Sequence, residues 1–145
     1  MPRRPTQPPI GRQLSSTARA VSRAFDQTLT AAGGSLPTWL VLMTLRSRPG
    51  ANQRELAEGV GIQGATLTHH LNAMEAAGLL TRRRDPANRR VHVVELTERG
   101  EAAFQRMRDA AGGFDRRLRA GLDGDQIECL SRLLARLHAN VSAGS

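Results

Sequence analysis

Five of the nine residues from position 82 to 90 are arginine: Arg82, Arg83 and Arg84, then Arg89 and Arg90. A guanidinium is a planar, permanently charged fork that can grip a phosphate or a guanine edge at two points. The two groups of arginine are separated by Asp85-Pro86-Ala87-Asn88, whose residue types favour a turn. A valine-rich run, Val91 to Leu96, follows, and Leu79 and Leu80 precede. The segment therefore reads as two strands joined by an arginine-studded loop, a hairpin able to reach for phosphates. Side chains alternate along a strand, so Arg82, Arg83 and Arg84 cannot all face the same phosphate, and at least one is expected to be structural or solvated. Arg82, Arg84, Arg89 and Arg90 are the candidates for contact, with Asp85 expected to pin the loop by pairing with an arginine.

Such a hairpin needs something to hold it against its ligand, and the residues upstream supply two short helices. Asn52 is a good N-cap with Glu55 three positions on, which predicts a helix over residues 53–58. Gly59 and Gly61 mark its end and a turn. A second helix is predicted from residue 63 or 64 to 76, stopped by Gly78. Within it Leu67, His70, Leu71 and Met74 recur at i, i+3, i+4 and i+7 and form the inward face. Ala65, Thr66, Thr68, His69, Asn72 and Ala73 lie opposite, so His69 is expected to point outward and His70 toward the core margin. Two helices, a turn and a hairpin are the pattern of a winged helix-turn-helix, whose second helix meets DNA base edges mainly through its N-terminal residues. Gln63, Ala65, Thr66, Thr68 and His69 are the candidates there. Glutamine can read adenine, a threonine methyl can touch a thymine methyl, and small residues at positions 64 and 65 allow close approach. Arg89 and Arg90 would suit a narrow minor groove.

The outer segments frame this module. Residues 10–32 carry Leu14, Ala18, Val21, Phe25 and Leu29 on one helical face. Residues 37–47, with Pro37 in the first turn, are apolar almost all round, which predicts a buried helix. Thr97 is expected to cap a fifth helix with Phe104, Met107, Ala111, Phe114, Leu118 and Leu122 as its seam. Gly112-Gly113 should weaken or bend it. A last helix from about Asp123 carries Ile127, Leu130, Leu134, Leu137 and Val141. Seams spaced by three and four residues resemble a coiled coil, and a dimer would match the symmetry of a palindromic DNA site. The expected organisation is a basic tail (1–9), a dimerisation helix (10–34), a DNA-binding module (35–98) and C-terminal dimerisation helices (99–142). The fold class is mainly α with a small β-hairpin wing.

Composition agrees. The chain has 145 residues, about one domain in size, and a formal net charge of +8 in which all 21 basic residues are arginine. Such a balance favours polyanionic partners. One cysteine, Cys129, excludes an internal disulfide and suits a reducing compartment, hence the cytoplasm. Beside Leu130 on the seam it reads as a buried structural thiol. No run of 18 apolar residues and no secretory signal are present, so no membrane partner is expected. No nucleophile sits with a base, no carboxylate pair or phosphate-binding glycine loop occurs, and the four histidines lack metal-site spacing. Neither catalysis nor a cofactor nor a metal is expected. The rival reading is an architectural protein that coats DNA with little sequence preference.

The segment PGANQRELAEGVGIQGATLTHHLNAMEAAGLLTRRRDPANRRVHVVELTERG resembles the multiple-antibiotic-resistance regulator (MarR) family of bacterial transcription factors, and the flanking helix lengths extend the resemblance from about residue 10 to 142. The resemblance implies a homodimer with interlocked terminal helices, bound to a pseudo-palindromic operator on the nucleoid. It implies repression, relieved by a small anionic or phenolic effector. By position it places Arg90 in a minor groove, and Thr66, Thr68 and His69 in the major groove. His69 stands where many members have arginine, and Asn88 where many have a wing aspartate. The family's effector pocket implies a lining of Arg19, Trp39 and Met43. Family redox sensors use a cysteine near the N-terminus, unlike Cys129.

Overall fold

In the computed structural model, which describes residues 8–144, six helices and one hairpin follow in the order α1 (Ile10–Ala31), α2 (Leu36–Ser47), α3 (Gln53–Val60), α4 (Gly64–Ala76), β1 (Leu80–Arg84), β2 (His92–Leu96), α5 (Glu98–Leu118) and α6 (Gly124–Ser142). This is the mainly helical class with a two-stranded wing that the sequence predicts. Most of the expected basic tail, residues 1–7, lies outside the described residues.

The helix boundaries have local causes. At the start of α2 the Ser35 hydroxyl accepts from the Thr38 N–H at 3.3 Å, with Pro37 in the first turn. Helix α3 begins where Asn52 Oδ1 accepts from the Glu55 N–H at 2.9 Å; it runs to Val60, two residues beyond the expected end. It stops at Gly61, whose φ of +76° is a left-handed conformation that glycine adopts without strain. Helix α4 closes with a Schellman pattern around Gly78: the Gly78 N–H reaches Glu75 O at 2.9 Å and the Leu79 N–H reaches Met74 O at 3.0 Å. Thr97 caps α5 as predicted, its hydroxyl accepting from the Gly100 N–H at 3.1 Å and donating to Gly78 O at 2.5 Å. That bond draws the end of α4 against the start of α5.

The chain divides into two compact units, residues 1–111 and 112–145. In the first, the core is built from Leu29 of α1, Val41, Leu42 and Leu45 of α2, Leu56 of α3, and Leu67, Leu71 and Met74 of α4. Leu80 and Val94 of the hairpin and Ala103, Phe104 and Met107 of α5 complete it. Strands β1 and β2 are antiparallel, Leu80 opposite Leu96 and Arg82 opposite Val94. Val94 also donates to Ala51 O at 3.1 Å, which ties the wing to the α2–α3 link. Helix α2 is not buried all round: α1, α3, α4 and β2 pack against it and Trp39 stacks on Phe104 of α5, but Leu36 and Met43 are left exposed.

The second unit holds the end of α5 and all of α6. Helix α5 continues through Gly112 and Gly113 without interruption. Helix α6 opens with a reciprocal capping box in which Asp123 Oδ1 accepts from the Gln126 N–H at 2.8 Å and Gln126 Oε1 from the Asp123 N–H at 2.9 Å. No residue of α6 is buried, and Leu130, Leu133, Leu134 and Val141 are exposed. Cys129 is exposed too, which corrects the expected buried thiol: no position of α6, seam or otherwise, is buried. No single helix among the described residues is long and apolar enough to cross a membrane.

Candidate nucleic-acid interface

Helix α4 presents two contrasting faces. Leu67, Leu71 and Met74 are buried and hold it to the core, while Gln63, Gly64, Ala65, Thr66, His69, Asn72 and Ala73 are exposed. His70 is half-buried beside His69, the rings 5.7 Å apart and edge-on. The 3.6-residue period thus separates the adjacent histidines as the sequence predicts. Thr68 is half-buried and engaged: its hydroxyl donates to Gly64 O at 2.9 Å and accepts from Gln53 Nε2 at 2.6 Å. Gln53, in the first turn of α3, therefore fixes the start of α4, a long-range role that local spacing does not reveal.

The wing is held by its own backbone. Asp85 N–H donates to Val91 O at 2.9 Å, Ala87 N–H to Asp85 Oδ1 at 2.8 Å and Arg90 N–H to Asn88 Oδ1 at 3.2 Å. Two successive Asx turns shape the loop. This corrects the expected Asp85–arginine pair: the short carboxylate reaches the amide two residues on, and Asn88 does the same with its carbonyl oxygen.

The arginines separate by partner. Arg82 turns onto α4, where its guanidinium donates to Glu75 and Asn72, and its side chain is 19% exposed. It is not directed outward as expected, because β1 carries Leu80 and Arg82 on the face that packs against α4. Arg83 lies on the other face and pairs with Glu95 at 2.7 Å. The hydrogen bond from Arg82 holds the Glu75 carboxyl below the ordinary carboxylate range, and the bond from Arg83 does the same for Glu95. Arg84, Arg89 and Arg90 are exposed and make no ion pair among the described residues.

Helix α3, the start of α4 and the wing enclose an open cleft of about 790 Å³ lined in part by Gln53, Arg54, Gly64, Thr68, Arg90 and His92. Arg54 and His92 were not among the residues that the sequence pattern singled out. Arg54 pairs loosely with Glu58, 3.7 Å away and one helical turn on. Exposed arginines on the wing and α3 flank a helix start made of small residues, an arrangement suited to a phosphate backbone with one helix in a groove.

The three residues proposed for an effector pocket are not gathered around this cleft. Trp39 stacks on Phe104 with ring centroids 5.5 Å apart and planes 10° apart. Arg46 lies over Phe104 and pairs with Glu101 at 3.0 Å. Met43 and Arg19 are exposed. A second cleft, of about 390 Å³, has Leu45, Arg46, Pro49, Val94, Glu95 and Glu101 in its wall, and none of the three lines either cleft.

Helix-turn-helix, exposed recognition face and arginine-tipped hairpin define a winged helix-turn-helix DNA-binding protein. Residues 35–92 match the model of the MarR family. A transcriptional repressor, CouR, solved on a 23-mer DNA duplex, is similar with 29% identity and a TM-score of 0.80 over 90% of this chain and 92% of its own. BpsR from Bordetella bronchiseptica, solved for regulation of its DNA binding by 6-hydroxynicotinic acid, shares the fold at 24% identity and a TM-score of 0.75, over 89% and 98% of the chains. So does a mutant of MarR from E. coli in complex with operator DNA, at 22% identity and a TM-score of 0.78, over 89% and 93%.

Proposed function

We propose that this regulator is a homodimeric, sequence-specific repressor of a pseudo-palindromic operator, released by a small anionic or phenolic effector, and that it acts on the nucleoid in the cytoplasm. The observation that carries the DNA reading is the set of exposed wing arginines, Arg84, Arg89 and Arg90, beside the exposed start of α4. In this reading Gln63, Ala65, Thr66 and His69 meet base edges in the major groove, with Thr68 bracing them. Arg89 and Arg90 enter the minor groove and Arg84 holds a phosphate. Residues 35–98 serve DNA, while residues 10–34 and 99–142 serve dimerisation. Exposed leucines on α6, which a single chain leaves in water, support the dimer. The similar repressor solved on DNA supports repression. A small organic acid regulates BpsR; here the effector would meet the exposed side of α2 at Met43 and the edge of Trp39, with Arg19 as the cation.

A gel-shift titration against DNA from upstream of the protein's own gene, with random DNA as competitor, tests this. The expected preference is about a thousandfold or more, with a footprint of two half-sites about one helical turn apart. Binding that random DNA abolishes would overturn the specific reading for this site and favour an architectural role.

A further inference from the structure

The recognition helix and the wing are joined by one polar cluster. Arg82 sits in the middle of β1, and its Nε and Nη2 groups converge on Glu75 Oε2 at 2.9 and 2.6 Å. Nη2 also donates to Asn72 Oδ1 at 2.5 Å, and the Arg82 backbone N–H reaches Glu75 Oε1 at 3.4 Å. The Arg82 side chain is mostly covered, 19% exposed against 54% for that of Arg83 on the outer face of the same strand. One side chain thus grips two residues a turn apart on α4 while its own backbone belongs to the wing. Charge-assisted bonds of this geometry are the strong ones.

The angle between α4 and the hairpin decides whether Thr66 and His69 can sit in one groove while Arg89 and Arg90 reach the next. We propose that Arg82 is a positioning residue for DNA binding: with Glu75 and Asn72 it locks the wing to the recognition helix so that both meet the duplex together. Asn72 is affected as well. An arginine only donates, so the Asn72 carbonyl oxygen spends one of its two lone pairs on Arg82, which fixes the amide with its Nδ2 group as a donor. Toward DNA that Nδ2 group suits a phosphate oxygen or a base acceptor.

This inference rests on the DNA-binding reading, and the test separates the two. The full chain first selects a duplex from a random pool; binding to that duplex and to random DNA is then followed by fluorescence anisotropy across a salt series. The double variant Glu75→Ala/Arg82→Ala removes the cluster without changing net charge. In folded protein, verified by its thermal transition, it should bind the selected duplex about tenfold more weakly, the scale of a lost bond to a charged group. Its salt slope should match the wild type, with little change on random DNA. Wild-type affinity in the folded double variant would overturn the proposal. So would a slope smaller by about one, because Arg82 would then be a phosphate contact itself. If the double variant does not fold, Arg82→Lys decides: it keeps the charge but not the planar fork, and undiminished affinity would overturn the clamp. A pool from which the wild type enriches nothing would sink the operator reading, and the clamp would be judged on salt slopes with random duplex.

Discussion

At the scale of single residues, what separates the wing arginines is the partner each one finds. Arg82 and Arg83 have carboxylates, at 2.6 and 2.7 Å, while Arg84, Arg89 and Arg90 have none among the described residues. Arg90→Ala should therefore weaken operator binding and lower the salt slope by about one, as loss of one phosphate-type contact does; an unchanged slope in a salt titration would show that the wing does not touch DNA. The paired carboxylates carry a pH dependence. Arginine hydrogen bonds hold Glu75 and Glu95 below their ordinary range. A depressed folded-state pKa means that the pairs add stability above the unfolded carboxylate range, near about pH 4.3, and lose it as pH falls through the folded values. The thermal midpoint of the wild type should thus drop on acidification more steeply than that of Glu75→Gln; parallel curves would contradict the pairing. Gly100 makes a different demand. It is buried where a Cβ would collide with the Leu79 carbonyl oxygen. Gly100→Ala should cost about 1–3 kcal/mol of stability in urea unfolding, the usual range for overpacking.

At the scale of elements, the helix starts differ in how their first N–H groups are met. Helices α2, α3, α5 and α6 begin with side-chain caps from Ser35, Asn52, Thr97 and Asp123. Helix α1, after Pro9, and helix α4, at Gln63, begin with none. The first-turn N–H groups of α4 have no partner inside the helix, and in the DNA-binding reading they are open to a phosphate. Gln63→Asp should raise stability by about 0.5–2 kcal/mol as an N-cap while weakening DNA binding, since it adds a carboxylate where the helix approaches phosphates. A variant that is more stable and binds as well as the wild type would show that the open start has no role. The α3 and α4 periodicities and the Gly78 stop were legible because they are local. The Gln53–Thr68 bond and the link from Ala51 to Val94 were not, because they join positions 15 and 43 residues apart in sequence.

At the scale of the whole molecule, the apolar seams of the termini matter most. Leu130, Leu133 and Leu134 of α6 are exposed in one chain, Leu134 by 42%. Such a stripe on a helix with no buried residue calls for a partner surface. Leu134→Glu should give monomers in sedimentation that bind operator poorly; a full-strength dimer would show that α6 is not the interface.

The sequence by itself determined the order of elements, the faces of α4, the turn at residues 85–88 and the basic character of the wing. Each depends on residue type and on a period of two or about 3.6, which act over a few residues. Tertiary structure alone decided which arginines stay free. Arg82 and Arg84 share a strand face, yet Arg82 meets Glu75 where β1 runs beside α4, and Arg84, near the tip, does not. It likewise turned Asp85 onto a backbone amide and left Cys129 exposed. Whether a charge is neutralised depends on what the fold brings within about 4 Å of it, and no spacing along the chain records that distance.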